Sequence, residues 1–234
     1  MRISVVCPVY NEEKRVGEIL SVLVKTDFIE EAIFVDDGSQ DDTFSILKKF
    51  KNKKIKVLRL KKNRGKGFAL GIGVKKAKGD IVVFVDGDLK NFQKEHLKKL
   101  IFPLLEKKAK CTIGVPVEKG RKFIRPWEVY LSGERAYFKR DLMRYLPKFF
   151  KLKYGIEMFL NSLFLPKETK IVFLWGLISP SKFEKKDFSE AMREYLKEVK
   201  EVITESKKMG LSFSVAKNLL KGYIKEMARI YLNI

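Results

Sequence analysis

Strand-sized apolar runs at Ile3–Cys7, Ile33–Val35, Ile55–Leu60 and Ile81–Val85 alternate with helical stretches. That β-α-β-α rhythm predicts a parallel sheet with helices on its faces, because each parallel strand needs a crossover to return to its starting edge. Such sheets bind ligands beyond the carboxyl ends of their strands. The polar clusters fall there: Tyr10-Asn11-Glu12 after the first run, Asp36-Asp37-Gly38-Ser39 after the second and Asp86-Gly87-Asp88 after the fourth. Side chains at i and i+2 of a strand share a side, so Asp86 and Asp88 converge on one cation. Hard divalent ions take oxygen ligands, commonly one or two carboxylates with substrate phosphates. An acid pair at a strand tip therefore points to a metal-held nucleotide diphosphate.

Local signals extend the outline. Asn11 is expected to cap a helix whose first turn holds Glu12 and Glu13, where the helix dipole favours acids. Ser39 and Asp42 resemble a capping box opening a helix to about Phe50. A basic glycine loop, Asn63-Arg64-Gly65-Lys66-Gly67, leads into a helix to about Lys78. After Pro116 the character changes: from Val117 to Lys153, Lys and Arg outnumber acids and aromatics are interleaved. A helix around Ile156–Leu163 and a strand at Ile171–Trp175 follow. Two amphipathic helical stretches close the chain, one striped by Phe188, Met192, Tyr195, Val199 and Val202, the other by Val215, Leu219, Tyr223, Met227 and Tyr231. The expected division is a domain over 1–180, with a nucleotide half over 1–116 and an acceptor half over 117–180, then a helical extension over 181–234.

A chain of 234 residues with 45% hydrophobic content can bury one good core. Its net charge of +21 favours polyanionic partners: nucleic acid, an acidic membrane surface or phosphorylated small molecules. No nucleic-acid module signature appears, and acidic strand tips repel a phosphate backbone, so nucleic acid is not the expected partner. Cys7 and Cys111, far apart in apolar runs, read as small buried hydrophobes. His96, the single histidine, reads as a surface residue of a charged helix. No apolar run approaches the roughly 20 residues that span a bilayer. The chain opens on a strand, without the pattern of a secretory leader, which places it in the cytoplasm by expectation.

Four pieces taken together resemble the family 2 glycosyltransferases of the GT-A fold, over about residues 3–165. They are Val5-Val6-Cys7-Pro8-Val9-Tyr10-Asn11-Glu12, Val35-Asp36-Asp37-Gly38-Ser39-Gln40-Asp41-Asp42-Thr43, Asn63-Arg64-Gly65-Lys66-Gly67 and Asp86-Gly87-Asp88. The resemblance implies an α/β fold of GT-A type, a Rossmann-like, mostly parallel sheet with flanking helices, to which the C-terminal amphipathic helices are added. It implies transfer of a sugar, with inversion, from a UDP- or GDP-linked donor. Pro8, Tyr10 and Glu12 would line the nucleoside pocket, Asp37 would bond the base, and Gly38 and Ser39 would shape the turn beside it. Lys66 joins the nucleotide-binding set. Asp86 would face the ribose and metal, and Asp88 would ligate a Mg²⁺ or Mn²⁺ cofactor directly.

The stretch Ser132-Gly133-Glu134-Arg135-Ala136-Tyr137-Phe138-Lys139-Arg140 resembles the acceptor segment of enzymes that glycosylate polyprenyl phosphates, such as dolichol-phosphate mannosyltransferases. By that resemblance Arg135 and Arg140 would grip the acceptor phosphate, and Glu157 joins the acceptor-binding set. Asp88, Arg135 and Glu134, the last being the nearest substitute for the Glu-Asp pair that hydroxyl-using relatives carry, are the expected catalytic group. Glu134 and Glu157 are candidate bases. A hydroxyl acceptor needs a base, whereas a phosphate monoester is already largely anionic at neutral pH and attacks unaided. The implied activity is metal-dependent transfer to polyprenyl phosphate. A soluble phosphorylated acceptor such as phosphoglycerate is the second reading, and a basic nucleic-acid-binding protein without catalysis the third. Leu89-Lys90 stands where the lipid-phosphate enzymes commonly carry Leu-Gln. Lys217, Lys221, Lys225 and Arg229 recur every four residues beside an apolar stripe, a pattern that suits an anionic membrane surface and a peripheral position on the cytoplasmic face.

Overall fold

The apolar runs form β1 (Ile3–Val9), β2 (Glu31–Asp36), β3 (Ile55–Arg59) and β4 (Ile81–Phe84). Three further strands, β5 (Cys111–Val117), β6 (Arg135–Phe138) and β7 (Thr169–Trp175), complete a seven-stranded sheet in the order β3-β2-β1-β4-β6-β5-β7. This computed structural model describes residues 1–50, 52–120, 126–152 and 155–180, with 193, 197, 200, 203 and 204 beyond them. The apolar stripes of the two closing helical stretches and the Lys217–Arg229 stripe lie outside the described residues.

β1 pairs in parallel with β2 on one side and β4 on the other, and β2 with β3. β6 runs antiparallel to both β4 and β5, and β7 is parallel to β5. Helices cover both faces, so the central strands are apolar on both sides, as buried parallel strands are. Val5, Cys7 and Val9 of β1 enter a cluster with α1 (Val16–Lys25), α2 (Thr43–Lys49) and α4 (Lys94–Leu105). Val6 enters the opposite cluster with α3 (Lys66–Lys76), α6 (Lys139–Met143), α7 (Leu146–Phe149) and α8 (Ile156–Ser162). Each fully buried Val, Leu, Ile or Phe contributes roughly 1.5–3 kcal/mol, so these two layers hold the sheet between them. α5 (Pro126–Leu131) leads into β6, and a 3₁₀ turn (Pro166–Glu168) into β7. On the edge strand β7, Ile171, Phe173 and Trp175 share one face and are exposed.

Three local expectations are corrected. Asn11 caps no helix: its backbone is left-handed, a conformation asparagine tolerates, with φ of 55°. Its Oδ1 accepts the Gln40 amide at 2.9 Å, and α1 begins only at Val16. Ser39 boxes no helix either, because its hydroxyl accepts the Asn11 amide at 3.0 Å and ties the first strand tip to the second. His96 is buried, 4% exposed. Its Nδ1 accepts the Gln93 amide and its Nε2 lies 3.1 Å from the Trp175 carbonyl, which fastens the start of α4 to the end of β7.

Candidate active site

The chain leaves β1 for β2 on one side and returns to β4 on the other, so a crevice opens where the order reverses. Val6 lies opposite Phe84 in the ladder, and the Val85 amide donates to the Val6 carbonyl at 3.1 Å. The segments Cys7–Tyr10 and Val85–Asp88 therefore emerge side by side. Gly87, between the two acids, packs on β1 so closely that a Cβ there would collide with Val9. Cys7 lies beneath: burial, with Asp86, Asp88 and Glu12, pushes its thiol pKa well up against an opposing pull from Lys66. It is an inert part of the floor.

Lys66 arrives from α3, a helix drawn tight to the sheet because Gly73 leaves no room for a Cβ against Val6. Its Nζ lies 2.8 Å and 2.9 Å from the two oxygens of Asp86 and 2.8 Å from Oε1 of Glu157, in the first turn of α8. Burial alone would lower its pKa, but Asp86 and Glu157 outweigh that and raise it well above the usual value, so the ammonium stays charged. Gly133 presses its backbone onto this cluster. A Cβ there would collide with the Asp86 carboxylate and sit 2.7 Å from Lys66 Nζ. One ammonium thus joins the tip of β4 to α8.

Glu134 faces the same cluster from the loop before β6 and is 2% exposed. Its Oε2 accepts the Ser132 hydroxyl at 2.9 Å, while Oε1 is buried with no hydrogen-bond partner. Burial, then Asp86, push its pKa up to about 8, against Lys66 and the Ser132 hydroxyl. Folded protein then holds this proton more tightly than unfolded chain does. The resulting stability is complete below the ordinary glutamate range and is lost as pH climbs through about 8. Glu134→Gln, neutral throughout, should flatten that slope. Between pH 6 and pH 9 its unfolding free energy should fall by about 2–4 kcal/mol less than wild type's, read by urea titration.

Pro8, Tyr10 and Glu12 are half-buried at the β1 tip, and the Glu12 amide donates to Thr43 Oγ1 at 2.7 Å. Asp37, expected to bond a base, holds the β3–α3 loop. Its oxygens accept the amides of Arg64 at 2.8 Å and Gly65 at 2.7 Å. Burial pushes its pKa up and those two amides pull it back. Gly38 makes the turn possible: its φ is +77°, and a Cβ would meet the Lys62 backbone at 2.7 Å.

Arg135 and Arg140 do not form the expected phosphate grip. Arg135 is fully buried, with Nε donating to the Ser132 carbonyl and Nη1 to Asn161 Oδ1, each at 2.7 Å. Its guanidinium locks β6 to α8. Arg140 lies at the far end of the sheet. β6 is antiparallel, so Phe138 pairs with Ile81 at the start of β4, whereas Asp88 follows its end. There Arg140 lines a separate basic cavity of about 1050 Å³ with Lys78, Lys110 and Lys139. The structure thus brings Asp86, Lys66, Glu134 and Glu157 together, and adds Gly133 and Ser132, whose only sequence signal was their place beside Glu134.

A divalent cation suits the acid pair, since Asp86 already clasps an ammonium with both oxygens. Among the described residues no group of three metal-ligating side chains forms, so donor phosphates and water would complete the shell.

Comparison with known proteins bears on the family and the fold. Human dolichyl-phosphate beta-glucosyltransferase is 34% identical over 156 residues, covering 60% of this chain and 43% of that protein. A Staphylococcus aureus poly(ribitol-phosphate) beta-N-acetylglucosaminyltransferase is 42% identical over 93 residues, 38% of this chain and 16% of that one. The chain spans less than half the length of these relatives. Glucosyl-3-phosphoglycerate synthase from Mycobacterium tuberculosis, crystallised with Mn²⁺, UDP and phosphoglyceric acid, superposes with a TM-score of 0.69 at 24% identity. That match covers 91% of this chain and 80% of the other, and shows a shared GT-A fold. The glycosyl transferase family 2 model matches residues 4–164, from the first strand to just past α8. Since that span takes in every residue placed in the crevice above, the chain belongs to glycosyl transferase family 2.

Proposed function

We propose that this glycosyltransferase moves a sugar, with inversion, from a UDP- or GDP-linked donor to the phosphate of a polyprenyl phosphate, with Mg²⁺ or Mn²⁺ as cofactor. The supporting observation is the meeting of Asp86, Lys66, Glu157 and Glu134 where the parallel strands end. Asp86 and Asp88 would hold the ion, whose charge offsets the negative charge that develops on the departing diphosphate. Pro8, Tyr10, Glu12, Gly38 and Ser39 would frame the nucleoside. The loop that Asp37 anchors leads into α3, from which Lys66 would meet the phosphates.

An acceptor phosphate needs no base, which fits a Glu134 that is largely protonated at neutral pH. The curated relatives named as dolichyl-phosphate glucosyltransferases support the lipid acceptor. Arg135 is occupied inside the fold and Arg140 is remote, so the acceptor phosphate falls to other cations of the acceptor half. Among the described residues no helix is long and apolar enough to cross a membrane. Access to a lipid then calls for peripheral contact with an anionic surface.

A thermal-shift panel of UDP- and GDP-sugars, with and without Mn²⁺, tests the donor. Metal-dependent stabilisation by one of them is expected from ligand linkage, about 2.7 kcal/mol at a hundredfold excess over Kd. Product assays with polyprenyl phosphate and phosphoglycerate then test the acceptor. Transfer to phosphoglycerate alone would replace the lipid reading.

A further inference from the structure

The Asp86 carboxylate is already engaged in the free protein. Lys66 takes both of its oxygens, at 2.8 Å and 2.9 Å, and keeps a third contact to Glu157 at 2.8 Å. The backbone of Gly133 closes over the pair, leaving the Lys66 side chain 27% and the Asp86 side chain 23% exposed. A hard cation approaching Asp86 alone therefore meets a like charge at van der Waals range with little water to screen it.

We propose that Lys66 is a built-in counter-cation that bars free divalent metal from Asp86 until a nucleotide diphosphate arrives with it. The proposal rests on the metal-and-nucleotide reading above and adds an order to it. The contact with Glu157 makes the exchange feasible. When the ammonium leaves Asp86 it retains one carboxylate partner in the same crevice, so no charge is stranded. The diphosphate supplies the other attraction, because its anionic oxygens draw Lys66 toward the phosphates while the acids take the metal. Metal alone offers the ammonium nothing in exchange.

Isothermal titration of Mn²⁺ into nucleotide-free protein separates this from a structural role, since damage to the site would only weaken binding. Lys66→Met should bind Mn²⁺ at least about tenfold more tightly than wild type, with Lys66→Gln as a second variant should the first fold poorly. With UDP or GDP present the advantage should vanish, because wild type gains metal affinity from the nucleotide and Lys66→Met gains much less. Glu157→Gln, which leaves Lys66 to Asp86 alone, should weaken Mn²⁺ binding in the absence of nucleotide. Equal or weaker Mn²⁺ binding by both Lys66 variants overturns the counter-cation while leaving the metal site intact, provided wild type binds Mn²⁺ with nucleotide. Absence of Mn²⁺ binding under every condition overturns both.

Discussion

Asp88→Asn should leave the protein folded and cut turnover by about two to three orders of magnitude, the usual loss when one preorganised electrostatic group is removed. Asp88 stands beyond the last ladder residue of β4 and is half-buried, so the isosteric amide disturbs neither the sheet nor the two cores. What changes is one negative charge beside Asp86, at the point where charge on a departing diphosphate has to be offset. Steady-state rates at saturating Mn²⁺, set beside the melting temperature, check both halves of the statement. Normal turnover with a normal melting temperature would take the acid pair out of the chemistry.

Arg135→Ala is expected to do the reverse and strike stability first. The guanidinium is fully buried and donates to the Ser132 carbonyl and Asn161, with Tyr137 at 3.4 Å. Alanine leaves those acceptors unsatisfied around a void, which costs about 2–4 kcal/mol. For a domain of this size that is a fall of about 5–15 °C in melting temperature. Arg135→Lys should recover little of it, because an ammonium cannot reproduce the fork that reaches both partners. An unchanged melting temperature with a raised KM for acceptor would instead return Arg135 to the acceptor phosphate.

The contrast between these two residues shows what the sequence made legible. Strands β1, β2 and β4 were readable because each is an apolar run that stops abruptly at polar residues, and burial on both faces leaves such runs no other home; β3, a half-buried edge strand, was readable from its alternation. The i, i+2 strand pattern did not hold for Asp86 and Asp88 as drawn, because β4 ends at Phe84 and both acids lie past it. β6 was not readable: it is four residues long, opens with Arg135, and turns that charge inward because Asn161 and the Ser132 carbonyl are waiting. Its antiparallel direction then carried Arg140 to the wrong end of the sheet. His96 misled for a similar reason, its partner being a carbonyl 79 positions away. The Lys66–Glu157 contact has no local signature at all, since it exists only once α3 and α8 lie on the same face of the sheet.

The reversed direction of β6 has one more outcome. A strand running with its neighbours would have met Asp86 with its finish; this one meets it with its entry, so Gly133 and Glu134 reach Asp86 from the segment just before the strand. Ser132 and Gly133 are fixed there by the fold, since the Ser132 carbonyl holds Arg135 and Gly133 has no room for a Cβ. A side chain added at position 133 would therefore act on the Asp86–Lys66 pair directly, without passing through the sheet.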